Sequence, residues 1–147
     1  MRIRWKPIGI DVIKAQLRNT AEKVSDTARK TMHRGADKIV KEAKLNAPVD
    51  KHNLEESIRK VVGYGYRGRV QINIEVGGMI NGVNVDLYAV EVHENYWEDT
   101  PGPGTLQKRQ QNPGRHVGGK YLERAVNDQR PKLEKDVIEA VVRTWRL

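Results

Sequence analysis

Residues 10–45 read IDVIKAQLRNTAEKVSDTARKTMHRGADKIVKEAKL, and this run decides the architecture. Ile13, Leu17, Ala21, Val24, Ala28, Met32, Ile39 and Ala43 recur at spacings of three, four or seven, the apolar stripe of an amphipathic helix. A continuous helix over about 10–45 spans roughly 50 Å at the usual rise per residue. That is long for a chain of 147 residues. One end is therefore expected to project beyond its own core and to need a partner. Gly35 interrupts the stripe, as a bend or as a point of close packing. Asn46-Ala47-Pro48-Val49-Asp50 ends it, because Pro48 disfavours helical geometry at Ala47.

Beyond that stop, Asn53 reads as the N-cap of a short helix over 53–59, with Glu55 and Glu56 in its first turn. The period then changes to two. Val70, Ile72, Ile74 and Val76 alternate with Gln71, Asn73 and Glu75, a half-buried strand, and Arg67-Gly68 offers a hairpin turn before it. Gly77-Gly78 and Asn81-Gly82 mark further turns, and Asp86 to His93 reads as another strand. Three or four strands within 60–94 are expected to form one antiparallel sheet against the long helix. Residues 95–118 carry four Gly and three Pro and read as a long loop, the kind that orders only against a partner. Helix returns over 119–145, with Pro131 expected to kink or restart it. The expected class is α+β in one domain spanning 1–147: a long N-terminal and a C-terminal helix packed on a small, mainly antiparallel sheet, with a long Pro/Gly-rich loop.

Composition narrows the function. The chain has no Cys, which removes disulfide scaffolds, thiolate metal sites and thiol nucleophiles. No apolar run approaches the roughly 20 residues of a membrane helix, and no signal-peptide core follows Met1, so a soluble intracellular protein is expected. The net charge of +8 is unevenly placed: +7 over residues 1–60, −4 over 61–100 and +5 over 101–147. Basic ends and an acidic middle suit DNA contact, and they suit head-to-tail packing of identical subunits equally well.

Catalytic chemistry finds little footing. The four His residues, at 33, 52, 93 and 116, show no ligand spacing, and no metal or cofactor is expected. Strand alternation would place Glu91 and His93 on one face, a base with its orienting partner, and Glu94 on the other. A solvated strand end explains the same residues. No serine elbow, phosphate loop or dinucleotide fingerprint is present, and an enzyme is not expected. Direct DNA binding draws on Lys14, Arg18, Lys23, Arg29, Lys30, Arg34, Lys38, Lys41 and Lys44, but Glu22, Asp26, Asp37 and Glu42 are interspersed, as on an ordinary solvated helix.

Three short motifs add a resemblance. Ala47-Pro48-Val49-Asp50 with Asn53-Leu54 and Ser57-Ile58 comes first. Tyr88-Ala89-Val90-Glu91-Val92-His93 follows, and then Tyr121-Leu122 with Ala125. In this order and spacing the chain resembles the tail-completion, or head–tail joining (neck), proteins of long-tailed bacteriophages and prophages. Two positions depart from that pattern. Lys51-His52 stands where the family usually has Thr-Gly, and His93-Glu94-Asn95 where Glu-Gly-Thr is usual.

The resemblance implies a structural virion protein: a ring of copies in the neck, assembled in the host cytoplasm, meeting a portal-side adaptor on one side and tail-tube proteins on the other. A minor capsid or tail-tube-associated role is the alternative within that class, and a basic DNA-binding accessory protein the alternative outside it. Turned towards the channel, the basic helix would make a passing contact with DNA. Candidate interface residues are Trp5 and Trp97, large aromatics in polar irregular segments, together with Glu91, Lys108 and Arg109. Tyr88 and Leu122 read as core, and Pro48 and Asn53 as a turn and a helix start.

Overall fold

A computed structural model describes residues 10–96 and 100–146. Helix α1 runs unbroken over Ile10–Asn46, as the stripe requires. The short helix α2 covers Asn53–Ser57 and is followed by strand β1, Arg59–Tyr64, and strand β2, Val70–Glu75. Strands β3, Met79–Ile80, and β4, Val83–Asn84, lead through a 3-10 turn at Val85–Leu87 into helix α3, Ala89–Asn95. Helix α4, Pro103–Gln111, and helix α5, Tyr121–Trp145, complete the chain.

The class is α+β, and the strands divide differently from the single sheet expected. They form two separate antiparallel pairs, β1 with β2 and β3 with β4. In the first, Lys60 pairs Ile74 and Val62 pairs Ile72, and the alternation along β2 leaves Ile72 half-buried between exposed Gln71 and Asn73. This hairpin lies along α1, held by a Lys60–Asp37 ion pair at 2.6 Å and by Arg29 donating to the Gly68 carbonyl near its tip. The second hairpin turns at Asn81 and Gly82, both at positive φ, the mark of a two-residue primed turn.

Helix α5 runs along α1 in the opposite direction. Gly118 N–H donates to the Asn46 carbonyl at one end, Leu133 meets Gly35 midway, and Ala140 and Arg143 share a shallow groove with Thr31 and Arg34 further on. A Cβ at Gly35 would stand 2.2 Å from Leu133 Cδ1, so close packing, without a bend, is the role of this glycine.

Four expectations are corrected here. Asp86–His93 is a turn and a helix: its buried or half-buried positions Val85, Ala89, Val92 and Tyr96 follow a period near 3.6, which the alternation reading overlooked. The 95–118 stretch contains α4, with Pro103 at its first turn, where the missing N–H costs nothing. Pro131 does not restart the last helix, because its exposed position lets water serve the carbonyl that lacks a donor. The N-cap of α2 is His52 rather than Asn53, at φ 61° and without a side-chain cap, and the helix ends at Ser57 because Ile58 is already extended.

Candidate functional site

The three motifs converge where α1 ends. Ala47, Leu54, Ile58, Ala89, Tyr121 and Ala125 join Ile39, Ala43 and Val85 in one buried cluster, with Tyr88 and Leu122 packed on its edge. Val49 is buried, as are Asn53 and Ser57, whose Oγ donates to the Leu54 carbonyl. Pro48 is buried too, while Asp50 stays at the surface. The motif residues are therefore largely the core itself, which accounts for their spread over the chain. Tyr121 is 1% exposed, and this burial pushes its phenol up to about 12, Tyr88 adding to the effect.

Helix α4 closes this hub with two residues that the loop reading could not place. Buried Thr105 donates its hydroxyl to the Val49 carbonyl at 3.1 Å and accepts the Val49 N–H at 2.9 Å, so one side chain satisfies both backbone groups beside Pro48. Lys108 reaches the end of α1, donating to the carbonyls of Lys44 at 2.5 Å and Ala47 at 2.8 Å and pairing with Glu55. An ammonium there meets the negative end of the helix dipole. Burial holds it below the ordinary lysine value, and Glu55 partly offsets that. Arg115 adds a second cation, on Glu42 at 2.6 Å and Asn46 at 2.9 Å. Arg109 Nε donates to the Val117 carbonyl. The two basic residues singled out as candidate interface thus make contacts inside the chain. The readable signal was Gly102-Pro103, a helix opening rather than a loop.

The Glu91–His93 pairing expected on a strand face does not form. Glu91 accepts from Asn95, one turn on, at 3.0 Å. His93 Nδ1 lies 2.7 Å from Glu94, which also pairs with Lys120. The Lys120 hydrogen bond chiefly, and the His93 bond after it, hold the Glu94 carboxyl below its usual value. The His93 ring meets Tyr121 edge-on at 5.0 Å, and its buried Nε2 has no partner among the described residues. This cluster fastens α3 to the start of α5. Trp5 and Trp97 lie outside the described residues.

What the molecule presents outward is split between its ends. Along α1 residues 12–19 are all exposed, Val12, Ile13 and Leu17 among them, and α5 ends in exposed Val142 and Trp145. At the other end Leu87 and Val90 are exposed beside Asp86 and Glu91. A groove of about 420 Å³ opens near them, bordered by Pro48, Leu54, Tyr88, Val92, Tyr96 and Pro103. Among the described residues no group of His, Asp and Glu is placed to hold a metal ion, and no helix is long and apolar enough to cross a membrane.

Against known proteins, the family model described as "Bacteriophage HK97-gp10, putative tail-component" matches residues 11–98, which is α1 through α3 and just beyond. No curated protein and no solved structure matches the chain.

Proposed function

Because the chain belongs to the HK97-gp10-like family of bacteriophage tail components, we propose that it is a ring-forming neck subunit, completing the tail or joining it to the head. The observation that supports this most is the division of its surface. A basic overhanging helix stands at one end and an acidic, partly apolar face at the other, as contacts between unlike patches of identical copies require. The buried, intrachain-bonded motif residues fit a scaffold whose work is done by its outer faces, and a structural rather than catalytic role. Its partners on this reading are further copies, a portal-side adaptor and the tail tube, with assembly in the host cytoplasm.

The test is disruption of the gene in the phage or prophage that carries it, followed by electron microscopy of lysates. Filled heads beside separate tails are the expected result, and tails of abnormal length would assign termination of the tube instead. Normal infectious particles would overturn the neck reading. A DNA-binding accessory role has the exposed α1 cations in its favour and requires binding that weakens steeply with salt.

A further inference from the structure

The two ends of the molecule fit one another and cannot meet within one chain. Ile13 and Leu17, 56% and 57% exposed, lie four residues apart on one face of α1, flanked by Lys14 and Arg18. Residues 12–19 contain those two cations and no acid. At the far end Leu87 and Val90, 82% and 71% exposed, stand at the opening of α3, with Glu91 and Glu94 continuing the same side. Residues 86–96 contain three acids and no Lys or Arg. Between Leu17 and Asn46 the helix rises about 44 Å, and α3 sits at the Asn46 end, against Tyr121. Folding the first face onto the second would break α1.

We propose that the Leu87–Val90 face seats the Ile13–Leu17 face of a second copy of this chain, with Lys14 and Arg18 of the arriving helix set against exposed Asp86 and Glu91. The charges are complementary, and each patch offers two exposed apolar side chains. The contact joins unlike patches, so every copy in a row keeps one patch of each kind for the next, and the row closes into a ring when the rotation per copy divides a full turn. The inference rests on the ring reading and names the surfaces that would build it.

The absence of Cys makes a direct test available. The double variant Leu17→Cys/Val90→Cys, oxidised at graded protein concentrations, is expected to give a ladder of covalent multimers. An equimolar mixture of the two single variants is expected to give a mixed dimer, and each single variant alone to stay monomeric on a denaturing gel. Both positions are exposed, so the thermal midpoint should match the parent; Ile13→Cys with Leu87→Cys repeats the test if it does not. Dimers from either single variant alone would overturn the pairing in favour of a two-fold contact. No cross-link at concentrations where the parent chain is oligomeric by light scattering would overturn the pairing and leave the ring reading standing. A parent chain monomeric at every concentration, with no ladder, would overturn the pairing, and the gene disruption alone would then decide the ring reading.

Discussion

His52 holds at φ 61° a backbone conformation that glycine adopts without strain. The turn into α2 thus keeps left-handed geometry where the sequence carries His instead of the usual glycine. His52→Gly is expected to stabilise the protein by about 0.5–1 kcal/mol, less whatever the exposed His52–Glu55 pair contributes, and to raise the thermal midpoint by roughly 2–4 °C. Lys108→Met leaves two carbonyls and Glu55 without their cation and should cost about 2–4 kcal/mol in denaturant unfolding. Adding Glu55→Gln should recover about 1 kcal/mol, because the carboxylate stranded by the first change is then neutral. Tyr121 sets an alkaline limit. Its folded value near 12 lies above the unfolded 10.0, so the unfolded chain loses this proton first. Its contribution is complete below pH 10 and disappears as pH rises to 12, about 2–3 kcal/mol in all. Tyr121→Phe should flatten that limb of the stability profile.

The α1–α5 pair depends on one missing methyl group. Gly35→Ala gains helix propensity and collides with Leu133, so it should destabilise by about 1–2 kcal/mol alone. In a Leu133→Ala background the same change should stabilise by about 0.5–1 kcal/mol, and a double-mutant cycle reads the reversal of sign. Pro131→Ala, at an exposed position inside α5, should stabilise by about 1–3 kcal/mol. How far each element could be read from sequence follows from its length. The α1 stripe repeats over about eight turns and admits one period only. The 85–96 stretch is short, and Tyr88, Val90 and Val92 satisfy alternation while Val85, Ala89, Val92 and Tyr96 satisfy a helix; tertiary packing on Tyr121 decides. Treating 87 and 90 as strand positions also hid the exposed face they form. The helix α4 was masked by Pro and Gly residues clustered at its two ends, and with it went Thr105 and the contacts that Lys108 makes with the end of α1.

For the whole molecule, the charge division was visible by counting, but which residues carry it outward was not, because that depends on packing. Self-association through the proposed faces should weaken markedly between about 0.05 and 0.5 M salt, as sedimentation would report, since its ion pairs lie at a rim. Ile13→Ser with Leu17→Ser should keep the thermal midpoint within about 2 °C and abolish association, because both side chains are exposed on the α1 overhang. The overhang also has a kinetic meaning. A helix end without tertiary support frays, whereas the Asn46 end is clamped by Lys108 and Arg115. Amide exchange should therefore be graded along a single continuous helix, near solvent rates at residues 12–19 and slowest around Ile39–Ala43. Each docking event would have to freeze a fraying segment, which taxes chance pairing in dilute solution and favours growth from a site where several copies already stand side by side.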